Sequence, residues 1–422
     1  MGFFRNMSWQ ARLYTYAGCV VFTSASYTMC VPFLPIYLLD LGAPEEHIEL
    51  WSAAVFAVSF LIGGTMAPVW GRLADKNGQK TMAVRSSILL CLSYTVGGLV
   101  ASPLQLLGMR VLQGFANGFL PAVLSMASSM APKDKLGSSL GVIQSAQLVG
   151  TVSGPLIGGT LAHLFGIRAS FLLAGAALFA VFIINIFMPS DKNAGNQASA
   201  AHSSILSDLR YSFTEGSIRE LLLLFFCFNA VMVAIQPILT LYVAELSGSL
   251  DNVEILSGIA CSLPPFIGAL TAPLWGAFGQ RRGFFLAMAS GFMGSSVFIF
   301  SQGFAPDVTV LLIESGFMGL FIVGIVPSLN AALSLATPAE FRGRGFGMMT
   351  LAGQYGAMVG PLISGGIAHF LNLSTQFMVS GTFLMVLGIY ALRRHVQKKQ
   401  ARRVSLREKA SDLKSAGSEE DA

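Results

Sequence analysis

Apolar runs of about 20 residues, the length a helix needs to cross a bilayer, recur along this chain between short polar breaks. Run length predicts twelve spans, at roughly 13–38, 50–71, 82–102, 104–129, 138–162, 168–188, 219–243, 253–277, 283–302, 307–332, 344–369 and 373–393. Helices are required because lipid offers backbone N–H and C=O groups no partners. The alternating pattern of a membrane β-barrel strand is absent. Arg5 and Arg12 precede the first run, as in a signal peptide. That run is too long for a signal h-region and more spans follow, so it reads as a retained helix.

Composition agrees with a membrane solvent. Hydrophobic residues are 54% and charged residues 11% of 422 positions, against about 25% charged in an ordinary soluble domain. Charge also sets orientation. With the N-terminus placed in the cytoplasm, the 26 Lys and Arg fall on the cytoplasmic side, except Arg168 outside and Arg110 within a span. The opposite loops carry acids, including Glu45, Glu46, Glu49, Asp251 and Glu254. This is the positive-inside pattern of an integral inner-membrane protein with both termini cytoplasmic. The basic excess therefore reports topology and contact with anionic lipid, not nucleic-acid binding. Cys19, Cys30, Cys91, Cys227 and Cys261 all lie within spans and form no C-x-x-C pair, so they read as packing thiols without a disulfide or metal site.

The chain repeats itself. Pro32, Tyr37 and Asp40 correspond to Pro237, Tyr242 and Glu245, each 205 residues later. Ala67-Pro68-Val69-Trp70-Gly71 corresponds to Ala272-Pro273-Leu274-Trp275-Gly276 at the same offset. Gly154-Pro155-Leu156-Ile157 corresponds to Gly360-Pro361-Leu362-Ile363, and His163 to His369, at 206. A polar stretch at 189–218 divides the copies. The expected organisation is an N-terminal half at 1–188, a cytoplasmic linker at 189–218, a C-terminal half at 219–394 and a basic then acidic tail at 395–422. The predicted fold is all-α, with twelve transmembrane helices in two pseudo-symmetric six-helix bundles. Transporters of this design bind substrate near the midplane between the halves and rock one half against the other.

Four stretches carry a family resemblance. Pro32-Phe33-Leu34-Pro35-Ile36-Tyr37-Leu38 matches P-x-x-P-x-Y-L. Gly71-Arg72-Leu73-Ala74-Asp75-Lys76-Asn77-Gly78-Gln79-Lys80 matches G-x-L-A-D-R-x-G-R-K, with Gln79 in place of a base. Arg110-Val111-Leu112-Gln113-Gly114 matches R-x-x-Q-G. Gly141, Gly150, Gly154, Pro155, Gly158 and Gly159 match G-x8-G-x3-G-P-x-x-G-G. In these motifs the chain resembles the major facilitator superfamily, and within it the twelve-span drug:proton antiporters. The resemblance implies proton-coupled efflux of small amphipathic compounds by alternating access. It implies that the loop bearing Gly71, Asp75, Lys76, Gly78 and Lys80 braces the closed cytoplasmic face. It also associates the span 5 motif with export by exchange.

The same residues have a direct physical reading. Gly71 and Gly78 permit a tight turn, and Asp75 is favoured near a helix N-terminus. The copy at 276–283 keeps both glycines and has Gln280 in place of the acid. Gly150, Gly154 and Gly158 form a one-turn stripe that lets two helices approach closely, and Pro155 favours a kink. Span 11 repeats the stripe with Gly347, Gly356, Gly360 and Pro361, and with Ser364 in place of one glycine.

Charges inside the membrane are costly and face a cavity or partner. Arg110 lies about 9 Å below the outer end of span 4 at 1.5 Å per residue, with Gln113 and Asn117 predicted on its face at i+3 and i+7. Glu314 sits at nearly the equivalent depth in span 10, where Ser315 is the repeat partner of Arg110. A buried carboxylate can take up a proton. Glu314, Arg110 and Asp40 are therefore the candidate proton-coupling residues. Related antiporters often carry an acid in span 1, where this chain has none before Asp40 at the span's outer end.

Spans 1, 4, 7 and 10 line the cavity in the superfamily. The candidate lining groups are Tyr27, Gln113, Asn117, Asn229, Gln236, Glu314 and Met318, with Gln147 and Gln354 nearby. Phe225, Phe226 and Phe228 offer an apolar wall. Enzyme motifs fail: Gly137-Ser138-Ser139-Leu140-Gly141 spells G-x-S-x-G but opens a membrane helix and follows no strand. No P-loop and no H-E-x-x-H pair occur. The expectation is a monomeric, cofactor-free transporter whose partners are a small-molecule substrate, protons and the bilayer. Export of a dedicated metabolite such as a siderophore or sugar, uptake by symport, and a non-transporting membrane sensor are the alternatives.

Overall fold

A computed structural model describes residues 7–189, 205–248, 252–338 and 341–420, with the backbone alone at Asp75, Lys133, Arg342, 205–206 and 401–420. Twelve helical spans follow one another. They are Trp9–Asp40, Ile48–Asn77, Gln79–Leu99, Pro103–Met130, Leu136–Phe165 and Ile167–Phe187 in the first half. Gly216–Ser247, Val253–Arg282, Phe284–Gln302, Val308–Ala336, Arg342–Phe370 and Leu373–Glu420 form the second. Eleven contain a stretch apolar enough to cross a membrane. The remaining one, span 11, has the same length but is diluted by glycines, eight of them between Gly343 and Gly366. The chain is thus an all-helical, multi-pass membrane protein.

Several helices run past the predicted ends, because hydropathy marks the apolar stretch and not the helical turns that continue beyond it. Turns are short where glycine allows it. Gly78 alone joins spans 2 and 3 with φ +85°, and Gly283, 205 residues on, joins spans 8 and 9 with φ +103°. Most of the motif at 71–80 is therefore helix rather than loop. The linker is partly outside the described residues, but Ile205–Thr214 forms a helix within it.

Three spans are interrupted. Span 1 passes through a 3₁₀ turn at Val31–Phe33, beside Pro32 and Pro35, which remove backbone donors. Span 4 breaks between Phe115 and Phe119, where Gly118 takes a left-handed conformation at φ +115°. Span 10 breaks between Ile322 and Ile325. Span 5, in contrast, stays helical through Pro155.

The repeat is visible in contacts as well as in sequence. Tyr37 donates to the Gly97 carbonyl at 2.9 Å, and Tyr242 donates to the Gln302 carbonyl at 3.0 Å. Tyr37 packs on Phe171 and Tyr242 on Phe377, with ring centroids 5.4 and 5.0 Å apart. Ser102 and Asp307 cap spans 4 and 10 through the backbone N–H groups of Gln105 and Val310. Each pair preserves the 205 or 206 offset, so the duplicated residues hold duplicated places.

Glycines set the packing within each half. A Cβ on Gly150 would stand 2.5 Å from the Val21 carbonyl, and one on Gly154 would run into the Thr28 hydroxyl and stand 2.7 Å from the Ala25 carbonyl. One on Gly158 would meet the Met29 carbonyl. Spans 5 and 1 are therefore in backbone contact along the predicted stripe. Span 11 rests on span 7 in the same register, with Gly356 on the Phe226 carbonyl and Gly360 on that of Ala230. Ser364, in the place of Gly158, donates to the Ala234 carbonyl at 2.7 Å.

Further glycines bring the halves together. Gly159 abuts the Glu254 carbonyl, and its counterpart Gly365 would place a Cβ 2.8 Å from the carbonyl of Glu49, the counterpart of Glu254. Thr240 donates to the Pro32 carbonyl at 2.7 Å. His369 lies 3.7 Å from Glu49, and its ring is 5.3 Å from that of His47. These contacts lie at mid-depth and toward the span ends remote from the chain termini.

Candidate functional site

A cavity of about 420 Å³ lies between the halves. Spans 1 and 5 contribute Tyr27, Thr28, Pro32, Thr151 and Pro155, and spans 7 to 10 supply the remainder. Its walls are largely apolar, including Phe228, Met232, Ile235, Leu239, Met318 and Ile322. The polar groups are neutral hydroxyls and amides, from Tyr27, Thr28, Thr151, Gln236, Gln302 and Ser315. No charged side chain lines it among the described residues. Gln302 donates to Ser315 at 3.1 Å, which fixes the polar corner.

Of the predicted lining residues, Tyr27, Gln236 and Met318 meet at this cavity, and of the predicted apolar wall Phe228 does, while Phe225 and Phe226 do not. Gln113 does not. It is buried behind it and shares a network with Arg110 and Tyr94. Arg110 Nε donates to the Val55 carbonyl at 2.8 Å, Nη1 donates to Gln113, and Gln113 donates to the Tyr94 hydroxyl at 2.8 Å. The guanidinium lies 5.7 Å from the centre of the Phe56 ring and within electrostatic reach of the Tyr27 hydroxyl. Arg110 is 1% exposed, so this charge is held by protein and not by cavity water.

Asn117 does not continue the stripe of Arg110 and Gln113. The helix stops at Phe115, and Asn117 sits in the break, where it lines a second cavity of about 280 Å³ with Gln354. Arg85 props this break. It donates to the Asn117 carbonyl at 2.5 Å and lies 3.7 Å over the Trp70 ring. In the second half, Trp275 itself donates to the Leu320 carbonyl at 2.6 Å, at the place of Phe115. Asn229 donates back to the Phe225 carbonyl at 2.9 Å, and Gln147 lies on span 5 one position before the lining residue Leu148.

Glu314 is beside the cavity rather than on its wall. Its neighbour Ser315 faces in, and one Glu314 carboxylate oxygen is buried with no hydrogen-bond partner among the described residues. Asp40 is exposed at the end of span 1 near Arg168. In the 71–80 motif, Lys80 donates to the Ile186 carbonyl at 2.9 Å and Lys76 is exposed. The side chain of Asp75 lies outside the described residues. Of the span 5 motif, Gly150, Gly154, Gly158 and Gly159 are in tight contacts, Pro155 lines the cavity, and Gly141 has open space around it.

Pro264, Pro265 and Cys261 of span 8, with Gln302 and Ser315, line the cavity unannounced by any motif. A paired proline in the middle of an apolar run is one signal that marks span 8 in the sequence. Repeat arithmetic is another, since it already places Ser315 opposite Arg110.

Comparison with known proteins gives a consistent family. The family model described as Major Facilitator Superfamily matches residues 16–300 and 246–418. The chain is 31% identical over 404 residues to the multi-drug resistance efflux pump PmrA homolog of Lactococcus lactis, covering 94% of this chain and 98% of that protein. It is 32% identical to the multidrug resistance protein MdtG of Proteus mirabilis, covering 92% and 96%. Among solved structures, the nucleoside transporter NupG aligns with a TM-score of 0.73 at 13% identity, covering 90% of this chain and 98% of that one. At that identity the likeness is one of fold.

Proposed function

Since the chain belongs to the major facilitator superfamily, we propose that it exports small, mostly uncharged amphipathic compounds in exchange for protons. The observation that carries this reading is the cavity between the halves, apolar with a few neutral polar groups and, among the described residues, no charged lining residue. Such a site rewards burial of apolar surface and orients a solute through a few hydrogen bonds. Its methionines and aromatic rings can repack around different solutes. A permanent cation would lose hydration there without gaining a counter-charge. The multidrug-resistance names of relatives about 30% identical support export.

In this reading the chain works as a monomer in the inner membrane, with both termini cytoplasmic. The contacts between the halves at the ends remote from the termini then seal the outer side, and the cavity belongs to an inward-facing state. Glu314 carries the proton, Arg110 holds the adjacent helices in place, and Asp40 lies at the outer mouth. The turn at Gly78 with Lys76 and Lys80 braces the cytoplasmic face when it closes.

The test is a thermal-shift screen of purified protein against neutral amphiphiles and lipophilic cations, repeated on Met232→Trp, which fills the cavity. Neutral amphiphiles should raise the melting temperature of the parent protein, and the substitution should abolish that rise. Stabilisation by cations alone, or an unchanged response in Met232→Trp, would reject this site.

A further inference from the structure

A further cavity, of about 720 Å³, lies at the terminal end of the C-terminal half and has different chemistry. Arg281 and Arg282 at the end of span 8 enter from one side, and His395, Lys398 and Lys399 from the extension of span 12 enter from another. No acid lines it among the described residues. The carboxylate that approaches it, Glu220, is already held by Arg394 through two hydrogen bonds of 2.7 and 2.5 Å. Lys398 lies 3.9 Å over the Phe285 ring, and His395 packs against the turn at Gly283. Arg281 and Arg282 make no hydrogen bond or ion pair among the described residues and are exposed.

The equivalent turn in the first half is built otherwise. There Asp75 stands where the second half has Gln280, and Lys80, which donates to the Ile186 carbonyl at 2.9 Å, stands where it has Phe285. The second copy lacks the acid, keeps one cation as Arg281 in the place of Lys76, and adds Arg282 where the first half has Asn77. Clustered like charges without a counter-ion repel one another, so an anion that neutralises them is favoured.

We infer that this cavity binds the phosphate headgroup of an anionic phospholipid. It sits at the ends of spans 8, 9, 10 and 12, at the level where a headgroup meets the acyl region. The bases supply donors for phosphate oxygens. The opposite wall is apolar, with Phe284, Ala332 and Leu335, the last 78% exposed. A lipid satisfies both faces, whereas free phosphate uses only one. The site is separate from the transport cavity, so it stands whether or not that cavity binds drugs.

The test measures lipid binding to delipidated, detergent-purified full-length protein. The readouts are melting temperature and lipids retained in native mass spectrometry. The probes are phosphatidylglycerol, phosphatidylcholine and inorganic phosphate at matched ionic strength. Phosphatidylglycerol should raise the melting temperature and remain bound, and phosphatidylcholine and inorganic phosphate should not. Arg281→Gln with Arg282→Gln, and separately Lys398→Gln with Lys399→Gln, should each weaken that binding by about tenfold or more. Lys76→Gln, at the matching turn of the first half, should leave it in place. Binding as strong as the parent's in both double variants, or an effect of phosphatidylcholine as large as that of phosphatidylglycerol, overturns the site. A response to inorganic phosphate equal to that of the lipid overturns the lipid as its source.

Discussion

Gly154 stands directly over Thr28: a Cβ at 154 would collide with the threonine hydroxyl, which itself reaches the Gly150 carbonyl at 3.3 Å. Backbone thus lies on backbone where span 5 crosses span 1, and both spans also line the cavity. Any relative movement of the two has to preserve this seam.

Valine at 154 should therefore insert, because it is at home in lipid, yet force spans 1 and 5 apart. The residue also precedes Pro155, where a Cβ disfavours the helical region. Overpacking of this kind costs about 1–3 kcal/mol. We expect Gly154→Val to reach the membrane, melt at a lower temperature and lose coupled efflux. Gly108→Ala, which has open space, should be silent. Efflux and proton leak in vesicles, normalised to folded protein, decide it. Normal values in Gly154→Val would leave span 5 as ordinary packing.

The Arg110 network predicts a graded series. Lysine keeps the charge but lacks the planar set of donors that reaches Val55 and Gln113 together. Tyr94→Phe removes only the acceptor of Gln113, a loss of about 1–2 kcal/mol if the amide stays buried and unpaired. Arg110→Lys should lower the melting temperature more than Tyr94→Phe, and both should slow transport. A lysine variant as stable and active as the parent would show that these bonds are not needed.

The two-half fold was legible in the sequence because duplication keeps an offset and lipid enforces long apolar helices. Pro32, Tyr37 and the span 5 glycines announced contacts that the structure contains. The breaks at 116–118 and 323–324 were not legible. Hydropathy integrates over a whole span, while a break is decided by a few residues such as Gly118 and by supports such as Arg85. That is why Asn117 was expected beside Gln113 and lies elsewhere. The cavity was only half legible, with Tyr27, Phe228, Gln236 and Met318 anticipated and the span 8 prolines not. Lining depends on how two halves meet, and a one-dimensional pattern holds little of that.

Orientation is tested by labelling in a cysteine-free background. A cysteine at Asn77, on the terminal side of span 2, should react with reagent in the cytoplasm only. One at Pro44, just before span 2, should react from outside only. The opposite pattern would invert the topology and with it the sense of export.

Coupling to protons is the central claim, and Glu314 is its point of failure. Proteoliposomes with an imposed pH gradient measure it most directly, by following a neutral amphiphile shown to bind the cavity. The parent protein should accumulate the compound against its gradient and stop when a protonophore collapses the pH difference. Glu314→Gln should still bind the compound and equilibrate it, without accumulation. Accumulation that survives the protonophore, or full pH-driven accumulation by Glu314→Gln, would contradict the account.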